Sequence, residues 1–167
     1  GACATQLQQA VNIIRQRVNG LGVAEAEKAI AAGIAAAKKL GCAMAFAVAD
    51  HSGEMIATAR MDGANPRILR HSVRKAYTAA LMCRHTLSFK RDLEERGGAL
   101  DQWGDADLTT LPGGLVAQKG ECFVGAVAAG GGGPHDEAVA RAMMRGMGFE
   151  TVEDPRAKPK GAAKKKK

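Results

Sequence analysis

The chain of 167 residues is long enough for one domain with a buried core and leaves little room for a second. Its apolar residues are mostly small, since only four Phe, one Tyr and one Trp accompany many Ala and Gly residues. The formal net charge of +7 suggests a polyanion partner, but residues 156–167 hold seven cations and no acid, so the rest of the chain is close to neutral.

The composition of the chain and the spacing of its Cys residues argue against nucleic-acid, metal and membrane binding. Residues 151–167 are interpreted as a disordered basic tail, and nucleic-acid binding would depend on that tail alone, so no nucleic-acid partner is expected. The four Cys residues form no Cys-x-x-Cys pair, which predicts no metal site and favours a reducing, cytoplasmic compartment. No apolar stretch reaches the length of a membrane span, so no membrane partner is expected. The predicted organisation is an N-terminal helix (1–19), one domain (20–150) and the tail.

Helices and β-hairpins alternate along the chain. Apolar residues at helical spacing predict the first two helices, and a nearly continuous apolar run followed by a short polar turn ending in Gly53 predicts the first hairpin. Pro66 suits the first turn of a third helix, and Trp103 is expected to anchor an irregular stretch. The predicted helices cover 6–18, 24–40, 66–84, 86–96 and 136–146, and the predicted strands cover 42–50, 54–60, 115–118 and 122–128. This order predicts an α+β fold with helices packed on one antiparallel sheet.

Five motifs in this order resemble those of the GlcG/HbpS-like family, and the resemblance covers roughly residues 20–148. They are VADHSGE at 48–54, RMDGA at 60–64, KAYTA at 75–79, PGG at 112–114, and VGAV with a glycine run and Asp-Glu at 124–137. The resemblance implies a five-stranded antiparallel sheet flanked by helices and a tendency to form homo-oligomers. Some family members bind haem, and others are associated with corrinoid metabolism.

The family motifs also supply ligand-binding candidates. These are Arg60 and Asp62 in the RMDGA loop and Gly113 and Gly114 in the Gly-Gly turn. The chain departs from the family where basic residues crowd the start of the third helix and where Leu-Val follows the Gly-Gly turn. These departures leave the identity of the ligand open.

A basic cluster on the third predicted helix is the main candidate site. Arg70 and Arg74 are four residues apart, as are His71 and Lys75, so each pair shares a helix face. Such donors bind carboxylates or phosphates, Arg in bidentate fashion and Lys as a point charge. The alternative is a solvated basic face answered by carboxylates such as Asp62.

The glycine run at 130–133 is the second candidate site. Its permissive backbone and the free N–H groups of the following helix are typical of anion-binding loops, which points to Gly131 and Gly132 as ligand-binding residues. The run lacks the spacing of a phosphate-binding or dinucleotide-binding motif. Asp136 and Glu137 at the helix start are then interpreted as stabilising the helix dipole.

Two functions remain open at this point. The first is an oligomeric small-ligand-binding protein that holds haem, a corrinoid or another anionic cofactor between helix 67–81 and the glycine loop, with His71 or His135 as a single axial ligand in the case of haem. The second is a cofactor-independent lyase or isomerase acting on a small organic or aromatic carboxylic acid, with His71, His135 or Glu137 moving a proton. The scarcity of aromatic residues counts against haem, so the sequence leaves the cofactor open.

Overall fold

The computed structural model describes residues 2–18 and 20–150, and it describes side chains for 2–10 and 20–150. The basic tail predicted at 151–167 lies outside the described residues. The helices are α1 Ala2–Val18, α2 Val23–Lys39, α3 Pro66–Met82, α4 Thr86–Glu95 and α5 Asp136–Gly146, with 3₁₀ turns at Leu100–Trp103 and Gly133–His135. The strands are β1 Ala45–Asp50, β2 Met55–Arg60, β3 Gly114–Lys119 and β4 Cys122–Gly130. The α+β class is confirmed.

The sheet has four strands within the described residues, in the order β2-β1-β4-β3, and every neighbouring pair is antiparallel. The predicted number of five strands is therefore wrong. That number came from the family resemblance, whereas the residue pattern itself supplied two hairpins and thus four strands. The hairpins form where the pattern placed them because each turn is local: the Asp50 carboxylate accepts hydrogen bonds from the N–H groups of Ser52 and Glu54 at 2.8 and 3.1 Å.

The two faces of the sheet carry side chains of different size. On one face, Phe46 and Val48 of β1 are buried in a cluster with residues of α2 and α5. On the other face, alanines of β1 and β4 pack against alanines of α3, as the clusters that contain Ala47 and Ala76 show. Because these side chains end at Cβ, the backbone of α3 lies close to the sheet: the Ser72 hydroxyl donates a hydrogen bond to the Ala45 carbonyl at 3.0 Å.

Local signals set the ends of α3. Asn65 caps the helix by accepting a hydrogen bond from the Arg67 N–H at 2.9 Å, and Pro66 occupies its first turn. The helix ends at Met82 rather than at the predicted Arg84, because Cys83 adopts a left-handed conformation with φ 49°. Trp103, predicted as an anchor, packs edge-on against Phe89 with ring centroids 5.6 Å apart.

Candidate functional site

A cleft of about 780 Å³ opens between α3, the glycine loop after β4 and the start of α5. This volume is within the range of roughly 300–1,000 Å³ typical of small-molecule pockets. Part of its lining is aliphatic and comes from separate segments of the chain: Ile68, Leu87, Leu111, Pro112 and Pro134. The cleft therefore offers an apolar surface to a ligand beside the polar groups described below.

One row of side chains along α3 provides the basic side of the cleft. Arg67, His71 and Lys75 all line it, and they follow one another at intervals of four residues. The four-residue spacing that predicted the His71–Lys75 pair extends one turn back to Arg67, which was not among the predicted site residues. Arg70 and Arg74 are exposed and lie outside the cleft lining, and the Arg74 guanidinium is 3.9 Å from the Asp107 carboxylate.

The environment of His71 favours its neutral form. The side chain is half-buried in the cleft. Desolvation lowers its pKa below 6.5, and the positive charges of Arg67, Lys75 and Arg74 lower it further. A neutral imidazole has a free lone pair with which it accepts a proton or binds a metal ion.

Lys75 and Asp136 form a buried ion pair at the back of the cleft. The Lys75 Nζ donates to the Asp136 Oδ2 at 2.7 Å and to the Ala129 carbonyl at 2.9 Å, and the two side chains are only 4% and 12% exposed. The second carboxylate oxygen, Oδ1, accepts a hydrogen bond from the Gly132 N–H at 2.8 Å. An anion does meet the glycine loop, but that anion is a side chain of the protein itself.

The remaining polar residues at the start of α5 differ in position. Glu137 lines the cleft, and its carboxylate pairs with Arg141 one helical turn later at 2.9 Å. His135 is exposed and lies outside the cleft lining. Among the candidate glycines, Gly131 lines the cleft, whereas Gly132 is buried behind it through its hydrogen bond to Asp136.

The four candidates taken from the family motifs lie outside the cleft lining. Gly113 and Gly114 pack beside Lys75: a Cβ on Gly114 would approach the Lys75 carbonyl oxygen to 2.5 Å. Arg60 is exposed and donates a hydrogen bond to the Ala64 carbonyl at 2.8 Å, which closes its own loop, and Asp62 is exposed. A direct contact between any of these four and a ligand stays a prediction.

No group of three or more His, Cys, Asp or Glu side chains in the part of the chain that the structure describes is placed to hold a metal ion. No helix among the described residues has both the length and the apolar character needed to cross a membrane.

Comparison with known proteins gives a family and several similar solved structures. The family described as haem degrading protein HbpS-like matches residues 21–145. Protein ORFY of Klebsiella pneumoniae is 25% identical, with a TM-score of 0.70 over 80% of this chain and 92% of that one. A double mutant of Streptomyces reticuli HbpS is 29% identical, with a TM-score of 0.69 over 76% of this chain and 86% of that one. A search of curated proteins returned no match.

A third similar structure is that of PduOC in complex with haem. It is 21% identical to this chain, with a TM-score of 0.69 over 76% of this chain and 94% of that one. At that identity the likeness concerns the fold alone.

Proposed function

Because the chain belongs to the HbpS-like family, we propose that its cleft binds an organic anion with an extended apolar body, and that haem is the ligand to test first. The observation that carries the proposal is the position of His71. Its imidazole is held towards the neutral form within a cleft that also has an aliphatic wall and an arginine. A corrinoid or another anionic cofactor is the alternative ligand of the same class.

The ion pairs around the cleft indicate which cation of the protein would bind the anionic group of the ligand. Asp136 neutralises Lys75, and Arg141 neutralises Glu137. Arg67 forms no ion pair with any described residue, so its guanidinium is available for bidentate binding of a carboxylate.

The residues present fit haem. The His71 imidazole would hold the iron, and the Arg67 guanidinium would bind a propionate. Ile68, Leu87 and Leu111 would contact the apolar part of the ring in place of aromatic side chains. Bound haem would supply a redox-active iron, whose reactivity would depend on the residue that binds it and on the polarity of the cleft.

A haemin titration followed by visible absorption tests the proposal. We expect the wild type to give a saturable, sharpened Soret band. His71→Ala should shift the band and weaken binding, and Arg67→Ala should weaken binding with little change in the band position. His51→Ala is the matched control because His51 is exposed in the β1–β2 turn.

His135→Ala separates the two histidines that the sequence singled out, and we expect it to behave as the control does. A loss of the band in His135→Ala but not in His71→Ala would move the ligand site away from the proposed position. A wild-type protein that gives no saturable band would reject haem.

A second candidate function rests on the same histidine. A neutral imidazole in the same cleft as the Glu137 carboxylate is able to act as a general base, which favours the cofactor-independent lyase or isomerase as the alternative. Arg67 would then hold the carboxylate of a small organic or aromatic acid. A thermal-shift screen of small carboxylic acids, repeated with Arg67→Ala, tests this alternative: stabilisation by an acid that disappears in the variant would favour it.

The homo-oligomer and the cytoplasmic location both stay predictions. Leu81 is 41% and Trp103 52% exposed, and an interface between copies of the chain that covered them would remove apolar surface from water. Sedimentation velocity tests the oligomer, and cell fractionation tests the location.

A further inference from the structure

The Lys75–Asp136 pair connects three elements that meet at the cleft. Lys75 belongs to α3, its Nζ binds the carbonyl of Ala129 near the end of β4, and Asp136 is the first residue of α5. Asp136 also accepts the Gly132 N–H from within the glycine loop. Two side chains therefore link the helix on one side of the cleft to the loop on the other.

Bare backbone surrounds the pair. A Cβ on Gly113 would lie 2.8 Å from the Asp136 Cβ and 3.3 Å from the Lys75 Nζ. A Cβ on Gly130 would lie 3.5 Å from the same Nζ, and one on Gly132 would lie 3.3 Å from the Asp136 Oδ1. Because these residues have no Cβ, the Lys75 and Asp136 side chains pack directly against the main chain. This close packing explains why several glycines occur around the ion pair.

Backbone hydrogen bonds hold the two ends of the loop: Gly130 pairs with Ala45 in the sheet, and the Gly132 carbonyl accepts a hydrogen bond from the His135 N–H at 3.2 Å. Gly131 and Gly133 line the cleft with φ values of 99° and 58°, a region that glycine enters freely but leaves as freely. A hydrogen bond from the Gly132 N–H to a fixed carboxylate restricts the loop between these two residues. That carboxylate is fixed in turn by the buried ammonium of Lys75.

We propose that Lys75 and Asp136 are positioning residues, whose buried ion pair holds the glycine loop 130–133 in the conformation that forms one wall of the cleft. Where it concerns affinity, the proposal rests on the ligand binding proposed above. Lys75 then stabilises the loop rather than supplying the charge that binds the ligand, and that charge comes from Arg67.

Chemical rescue tests the proposal. Asp136→Ala removes the carboxylate but leaves the Lys75 ammonium and the Gly132 N–H around the space it filled, and formate matches the lost group in charge and shape. We expect the haemin dissociation constant of Asp136→Ala to rise about 10- to 100-fold, as is usual when a residue that orients a binding group is lost. Formate, but not chloride at the same concentration, should restore most of the affinity.

Two variants serve as controls. Glu137→Ala removes the neighbouring carboxylate, which pairs with Arg141 instead, and formate should leave its haemin affinity unchanged. Lys75→Met with Asp136→Ala removes both charges, so formate should have no effect on the double variant. Formate rescue in either control would overturn the proposal.

A second readout needs no ligand. Hydrogen exchange at the Gly132 amide should be faster in Asp136→Ala and should slow again on addition of formate. If haemin fails to bind the wild type while this pattern holds, the proposed ligand is wrong and the positioning role stands. If Asp136→Ala does not fold, Asp136→Asn keeps the volume, removes the charge and should also exchange faster at Gly132. Unchanged exchange in the folded variant would overturn the proposal.

Discussion

The lysine and the two carboxylates that line the cleft are neutralised in ion pairs. The Lys75–Asp136 and Glu137–Arg141 pairs leave Arg67 and His71 as the groups free to respond to a ligand. Both lie on one row of α3, so a single helix orients them. The anion specificity proposed for this cleft therefore depends on two residues rather than on the net charge of the chain.

The lowered pKa of His71 predicts how stability depends on pH. Between the lowered folded-state pKa and about pH 6.5, the unfolded chain binds more protons at this residue than the folded chain does. The free energy of unfolding therefore rises as the pH rises through this window, and it falls as the pH is lowered through it. We expect His71→Asn to reduce this rise. Urea unfolding between about pH 5 and 8, the range in which histidine ordinarily titrates, measures the effect. A wild-type profile in His71→Asn would contradict the assignment.

The close approach of β3 to α3 predicts a cost for a side chain at Gly114. A Cβ there would lie 2.5 Å from the Lys75 carbonyl oxygen and 2.7 Å from the Thr86 Cγ2. Gly114→Ala should lower the free energy of unfolding by about 1–3 kcal/mol, as overpacking of a dense site does. Gly98→Ala is the comparison, because its nearest neighbour is the flexible end of Leu93, and it should change stability by less than about 0.5 kcal/mol. Equal effects in urea unfolding would show that the packing around Gly114 adapts.

The sequence identified some residues of the site and missed others. His71, Lys75, Glu137 and Gly131 line the cleft, because helical spacing and a glycine run are local patterns that the fold preserves. The ion pair of Lys75 was not predictable, since its partner lies 61 positions later in the chain. Leu87 and Leu111 could not be assigned for the same reason: only the folded chain brings them to α3.

At the scale of secondary structure, the alanine-rich face of the sheet determines how α3 packs. Ala47 of β1 is fully buried in a cluster with Ala76 of α3, and all fully buried residues of that cluster are alanines. This close packing brings the α3 backbone to the sheet and places Lys75 within reach of the Ala129 carbonyl.

A larger side chain on this face should disturb the packing. Ala47→Val adds two methyl groups to a fully buried position, and we expect the free energy of unfolding to fall by about 1–3 kcal/mol. Thr58→Val is the matched control, because Thr58 pairs with Ala47 across β1 and β2 but is exposed. Chemical denaturation measures both variants. If Ala47→Val is as stable as the control, α3 must lie farther from the sheet than described.

The elements themselves were largely predictable. The two hairpins and α5 follow from turn residues and alternation close together in the chain, and α5 covers the predicted 136–146. The number of strands was wrong because it was taken from the family resemblance instead of from the residues. The predicted end of α3 was two residues too late, because the helix ends at a left-handed residue that is Cys83 and not the glycine that usually marks such an end.

At the scale of the whole molecule, the cleft is assembled from four separate segments. They are residues 67–75 of α3, Leu87 of α4, Leu111 and Pro112 before β3, and 130–137 at the start of α5. Their convergence follows from the sheet order, in which β4 lies between β1 and β3 beneath α3. We propose that this convergence forms the ligand site.

Amide shift mapping with a diamagnetic porphyrin, zinc protoporphyrin, tests whether a ligand binds where these segments meet. Spectra of the ¹⁵N-labelled full chain, recorded with increasing ligand, report which backbone positions the ligand affects. We predict saturable shifts at Arg67, His71, Gly131 and Gly133, with the β1–β2 turn around His51 unaffected. Shifts confined to that turn or to other surfaces, with the amides of α3 and the glycine loop unchanged, would contradict the account.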